Sequence, residues 1–179
     1  VPRFKHKKNY LLRWHNRIIK NLRNMKNPII NTLLEIAGEN YREYIGDSIL
    51  NPGESTCSLQ KDRGGVYGVA IYLSSKKSVE LFFNKAKESR NNLRIKNVDE
   101  WKPIATNVYP LYWGKDSNLG FRLFEHTRNV KTSRSIQLCD PLFLGQKVIF
   151  GAIFCNDNLE TERKLHSVYT DLLKNAKTK

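Results

Sequence analysis

Arg122 and His126 stand four residues apart, a spacing that puts both side chains on one face of a helix. A guanidinium can hold a phosphate through two parallel hydrogen bonds, and an imidazole one turn away can take or give a proton near neutral pH. The pair suits a phosphodiester, although a solvated arginine beside a partly buried histidine satisfies the same spacing. Tyr67 and Tyr112 lie in segments rich in β-branched and aromatic residues. A phenol titrates near about 10 and is a poor base unless a cation lowers that value, and as strand aromatics both would also serve to fill a core. Gly114 and Lys115 follow Tyr112 directly, offering close backbone approach and a cation. Glu162 falls three residues after Leu159 and three before Leu165, on or beside the buried face of a helix. A carboxylate there needs a metal ion, an arginine or the helix N-terminal dipole to justify it.

Holding these groups requires strands and helices, and the periodicity supplies them. Residues 65–73 read as a buried strand. A helix is expected over 77–90, packed through Val79, Leu81, Phe82, Phe83 and Ala86. A second strand runs over 104–113, where Pro110 implies an edge, a bulge or a late start. Ser117 is placed to cap a helix from 118 to about 128, and 148–154 is the third strand. Asn158 is placed to cap a last helix with Leu159, Leu165, Val168, Tyr169 and Leu172 on its apolar face. Before these, residues from Lys7 onward repeat apolar positions at helical spacing, Pro28 opens a second helix through about Ala37, and 46–65 reads as loop or linker. The order is that of a small α/β sandwich behind a helical N-terminal arm, divided into an arm and linker over 1–62 and a domain over 63–179.

The 179 residues carry 31 basic and 17 acidic side chains, a formal charge of +14 with a pI near 9.8. That excess predicts a polyanionic partner, nucleic acid or an anionic membrane. Nine cations and no carboxylate fall within residues 1–27. No apolar run approaches the roughly 20 residues of a membrane span and no apolar signal core follows the basic start, so the expectation is a cytoplasmic protein with no membrane partner. Cys57, Cys139 and Cys155 are odd in number and widely spaced, which gives neither a disulfide framework nor a zinc ligand pair.

Four motifs in order resemble the GIY-YIG nucleases. Gly65-Val66-Tyr67 is similar to the opening strand motif, and Leu111-Tyr112-Trp113-Gly114-Lys115 to the second strand with its following lysine. Leu119 to His126 is similar to the helix that carries arginine and histidine one turn apart. Glu162-Arg163-Lys164-Leu165, followed by Val168-Tyr169, is similar to the glutamate helix. The Type II restriction endonucleases are the branch most resembled, on Asn129-Val130-Lys131-Thr132-Ser133 and Gln137-Leu138-Cys139-Asp140. Three departures stand out. Residues 74–106 form an insertion between the two tyrosine strands, Trp113 takes the place of a small aliphatic residue, and the expected terminal asparagine falls at Lys174, with Asn175 one position later.

The resemblance implies an α+β fold, a three-stranded mainly antiparallel sheet flanked by helices. It also implies a site-specific double-strand DNA endonuclease that uses magnesium or manganese. Glu162 would be the metal ligand, Arg122 would stabilise charge on the phosphorane-like transition state, and Tyr67, with Tyr112 or His126, would activate or orient the attacking water. Lys115 and Lys174 are auxiliary positions. DNA-backbone contacts are expected from Lys7, Lys8, Arg13, Arg17, Lys20, Arg128, Lys131 and Arg134. One site per chain favours a homodimer for cutting both strands. Repair, phage and homing enzymes share the module. Two other readings remain: a non-catalytic nucleic-acid binder on a decayed nuclease fold, motivated by Lys174, and a D…E-x-K nuclease using Asp140, Glu162 and Lys164, which needs Glu162 and Lys164 on one face of a strand.

Overall fold

The computed structural model describes residues 27–38, 41–50, 64–90, 93–118, 121–127 and 135–175. Helix α1 (Pro28–Ala37) begins at its proline, and Asn27 caps it by accepting the Ile29 and Ile30 N–H groups on Oδ1. Strand β1 (Tyr41–Leu50) follows, then β2 (Gly65–Tyr72), helix α2 (Lys76–Ser89), β3 (Val108–Asp116), the short helix α3 (Phe121–Thr127), β4 (Val148–Cys155) and helix α4 (Asn158–Val168). The strands form one antiparallel sheet in the order β1-β4-β2-β3.

The small α+β fold with an antiparallel sheet flanked by helices, expected from the sequence, is therefore present as β3-β2-β4, and β1 extends it by a fourth strand. The reading of 46–65 as loop is corrected at its start, since Gly46 to Leu50 pair with β4. Glycine, aspartate and serine within β1 carry little strand propensity; the exposed edge of β4 supplies the hydrogen-bond partners that override it. Residues 51–63 lie outside the described residues.

Two cores lie on the two faces of the sheet. On one, Ile29, Ile30 and Leu33 of α1 and Leu165 of α4 pack against Val66, Ala70, Trp113 and Ile153. On the other, Val79, Phe82, Phe83 and Ala86 of α2 join Tyr67, Val69, Tyr112, Phe150 and the segment Ile136 to Phe143. Helix α2 falls within residues 74–106, which the resemblance implied to be an insertion, and its apolar stripe makes that segment part of the core. The last helix departs from expectation. Thr161 and Leu165 are its buried residues, whereas Leu159 and Val168 are exposed, so its buried stripe is narrower than the apolar positions alone imply. Its start has no side-chain cap.

Pro110 behaves as its type requires. It sits in β3, and the pairing with β2 slips between Val69↔Tyr112 and Ala70↔Pro110, leaving Leu111 as an extra residue. The far side of β3 is covered by the chain beyond α4, where the Leu172 and Leu173 N–H groups donate to Pro110 O and Leu111 O. Asp171 anchors this crossing. Fully buried, it accepts the Trp113 N–H at 3.0 Å, the Arg94 guanidinium at 3.1 Å and His166 Nδ1 at 2.8 Å. Trp113 lies over Gly68, where an added Cβ would collide with the indole, and donates Nε1–H to Tyr169 O at 2.6 Å. The bulky residue in place of a small aliphatic one is thus accommodated by a glycine opposite.

Removing the Asp171 carboxylate strands a buried N–H and leaves Arg94 uncompensated. Asp171→Ala is expected to lower unfolding free energy by about 3 kcal/mol in urea titration; a loss below about 1 kcal/mol would show that the anchor carries little.

Candidate active site

The register of β2 against β3 sets Tyr67 opposite Gly114 and Val69 opposite Tyr112, so both tyrosines project from one face of the sheet. A Cβ at position 114 would lie 2.5 Å from Tyr67 Oη; only glycine leaves room for the phenol there. The two phenol rings are 6.1 Å apart, and His126 of α3 closes the group with its ring 5.7 Å from that of Tyr67 and 5.1 Å edge-on to that of Tyr112. Tyr67 Oη and His126 Nε2 are hydrogen-bonded at 2.7 Å.

Helix α3 is placed by Asp116 at the end of β3. Its Oδ2 accepts the Arg122 N–H at 2.8 Å and its Oδ1 the Asn118 N–H at 3.3 Å. The capping role assigned to Ser117 is thereby corrected, since aspartate one residue earlier offers two acceptor oxygens. Arg122 is half-buried, and its charge acts on Tyr67, Tyr112 and His126 together. Among the described residues its guanidinium has no salt-bridge partner. Glu162 on α4 reaches the end of β3, where Oε1 accepts the Lys115 N–H at 3.2 Å; no other described group donates to this carboxylate.

The electrostatics follow from burial. Burial above all holds the Tyr67 phenol well above its ordinary value; neighbouring Tyr112 pushes the same way, and Arg122 opposes. Tyr112 is also raised by burial, against a hydrogen bond from Asn175 that favours the phenolate. His126 is lowered to about 3, first by burial and then by the Arg122 charge. At neutral pH the site therefore holds two phenols, a neutral imidazole and one guanidinium.

Tyr67, Tyr112, Arg122 and His126 are thus brought together, with Lys115 and Glu162 joined at the adjacent strand end. Lys174 is exposed, while Asn175 is the residue hydrogen-bonded to Tyr112. Asn175, one position beyond the one the resemblance implied, is thus the asparagine nearest the tyrosines. The chain leaves the edge of β3 at Leu173, and the next side chain but one is turned inward. Asp140 is committed to Arg90 at 3.4 Å and to the Leu142 N–H. Lys164 pairs with Glu160 on an exposed helix face. A D…E-x-K arrangement is excluded, because residues 162 and 164 are helical. Lys7, Lys8, Arg13, Arg17, Lys20, Arg128, Lys131 and Arg134 lie outside the described residues.

Three contributors escaped sequence reasoning. Arg90 donates to Ile136 O at 2.6 Å and Gln137 O at 3.1 Å, Ile136 N–H donates to His126 Nδ1, and Asp171 anchors the segment that ends at Asn175. Arg90 and Asp171 fall at the ends of the helices read from periodicity, but neither belongs to an apolar stripe or to a motif. A lone arginine at a helix end and a lone aspartate after one were the available signals.

No group of three or more His, Cys, Asp or Glu side chains able to enclose a metal occurs among the described residues, and no helix among them is long and apolar enough to cross a membrane. Comparison with protein-family models, with curated proteins and with solved structures returns no match.

Burial of neutral His126 makes stability pH-dependent. Below its ordinary value of 6.5 the unfolded chain binds a proton at this position, and the folded chain does not until about 3. Its contribution is therefore complete above pH 6.5 and falls by roughly 1 kcal/mol per pH unit on acidification. Chemical denaturation between pH 6.5 and 4.5 should show this slope, and His126→Gln should flatten it.

Proposed function

We propose that the chain is a divalent-metal-dependent DNA endonuclease of GIY-YIG type, hydrolysing phosphodiester bonds in the manner of a Type II restriction enzyme. The observation that carries this reading is the convergence of Tyr67, Tyr112, Arg122, His126 and Asn175, drawn from two strands, one helix and the segment after α4, with Glu162 fixed at the adjoining strand end. Single residues of these types are common. Their meeting at one place, in the order the motifs require, supports a shared task.

Each group has a role its environment permits. The Arg122 guanidinium, without a salt-bridge partner among the described residues, would receive the scissile phosphate and stabilise the charge that builds on it, most effectively where water is partly excluded. Tyr67, kept a phenol by burial, would hold the attacking water by a directed hydrogen bond, and Tyr112, steadied by Asn175, would line the same side. Lys115 would add positive charge at the rim. The resemblance implies magnesium or manganese, and the donor set fits. Such hard cations are commonly held by one or two carboxylates plus waters and phosphate oxygens rather than by an all-protein cage, and Glu162 keeps one oxygen beyond its bond to Lys115 N–H. Bound there, the cation would polarise the phosphate and ease departure of the leaving oxygen.

The +14 charge supports a polyanion such as double-stranded DNA as the partner, and cutting both strands with one site per chain favours a homodimer. The non-catalytic alternative drew on Lys174 in the asparagine position. The presence of Asn175 beside Tyr112 weighs against that motive.

Plasmid and phage-genome digestion with magnesium tests the reading. Wild type should give discrete fragments, EDTA should abolish them, and Glu162→Gln should cut at least about 100-fold more slowly. Glutamine still accepts the Lys115 N–H, so its fold should be retained. Intact DNA from wild type with magnesium and with manganese would end the nuclease reading.

A further inference from the structure

His126 is buried without measurable exposure, and both its ring nitrogens are engaged. Nδ1 lies 3.0 Å from the Ile136 backbone nitrogen. An amide N–H only donates, so Nδ1 must present its lone pair and carries no proton. In a neutral imidazole the single proton is then on Nε2, and Nε2 is 2.7 Å from Tyr67 Oη. The bond therefore runs from His126 Nε2–H to the phenol oxygen. This leaves the Tyr67 O–H free to point away from the imidazole, and it leaves Nε2 without a lone pair to receive a proton from Tyr67.

The Ile136 amide is itself held in place. Arg90, at the end of α2, spans the carbonyls of Ile136 and Gln137 with its two terminal nitrogens. It also faces Asp140 and lies 5.4 Å over the Phe143 ring. Gln137 has φ +53, a conformation unfavourable for a residue with a side chain, so the turn needs such a clamp. The Leu138 N–H donates back to His126 O at 2.7 Å, and Ser135 Oγ donates to Glu125 O. The segment from Ser135 to Leu138 is thus tied to α3 on one side and to α2 on the other.

We infer that His126 serves the proposed reaction as a fixed hydrogen-bond donor to Tyr67, not as a proton acceptor, and that Arg90 is the positioning residue that sets its tautomer through the Ile136 amide. The role in the reaction rests on the nuclease reading; the tautomer does not. A donor aimed at Tyr67 Oη favours negative charge on that oxygen over the neutral phenol. It also gives the inserted helix a function in the chemistry, since the insertion is what brings Arg90 to the site.

Long-range proton–nitrogen correlation spectra of the histidine side chains in the full chain test this without DNA, with His126→Gln identifying the signal. The expected result at pH 7 is a protonated Nε2 and a bare, pyridine-like Nδ1 at His126. A protonated Nδ1 would overturn the donor assignment. Arg90→Gln should replace the single tautomer by an exchanging mixture, and in cleavage assays it should lower kcat about 10-fold or more with KM little changed. Arg90→Lys, which keeps the charge but cannot span two carbonyls, should do the same and serves if the glutamine variant does not fold. An unchanged His126 spectrum in a folded Arg90 variant would overturn the positioning role. A wild type with the Nε2–H tautomer that never cuts DNA would overturn the role in catalysis, through the nuclease reading, and leave the hydrogen-bond assignment standing.

Discussion

The register that places Tyr67 against Gly114 is the constraint on which the rest depends. Antiparallel pairing alternates the faces of the sheet, so a slip of one strand by a single residue would turn its tyrosine to the side filled by α1 and part the pair. Two steric facts hold the register. Glycine at 114 admits the Tyr67 phenol, and glycine at 68 admits the Trp113 indole on the opposite face. Tyrosine and tryptophan on neighbouring strands thus each use the gap the other strand leaves. The bulge at Leu111 then lets β3 absorb Pro110 without disturbing the paired residues nearer the site.

Around that register the protein uses two buried polar networks in place of a larger apolar core. One centres on Asp171, which gathers a backbone N–H, a guanidinium and an imidazole at the edge of β3. The other runs from Arg90 through the turn at Ile136 to His126 and Tyr67. Each residue named has at least one partner, and such contacts rigidify a buried network. The Arg90 network is complete but for one atom: both terminal nitrogens of the guanidinium donate to carbonyls, while its buried Nε has no hydrogen-bond partner.

Local signals made α1, β2, α2 and β4 legible, because each carries a clear apolar pattern, with proline and glycine bounding α1; the Ser75 cap that starts α2 was not read from the sequence. The tyrosines, Arg122, His126 and Glu162 were legible as spacing. What escaped depended on partners far along the chain. Strand β1 runs through Gly46, Asp47 and Ser48, which disfavour extension, because β4 offers an open edge. Helix α3 is set by Asp116, which reads in sequence as an ordinary strand end. Leu159 and Val168 looked apolar enough to bury, yet the sheet beneath α4 is already covered by α1. That Asn175 rather than Lys174 turns toward Tyr112 was not legible, since the irregular segment after α4 has no period to count by.

The segment after α4 also governs when the site can exist. Tyr67 and Asn175 lie far apart along the chain, and the stretch between Asp171 and Leu173 must dock along β3 before Asn175 can meet Tyr112. The two tyrosine strands can pair without this crossing, so the sheet and the complete cluster are separable states of the same chain. Local release of the crossing segment would take the cluster apart and leave the strands paired, which makes the segment after α4 the latch of the site.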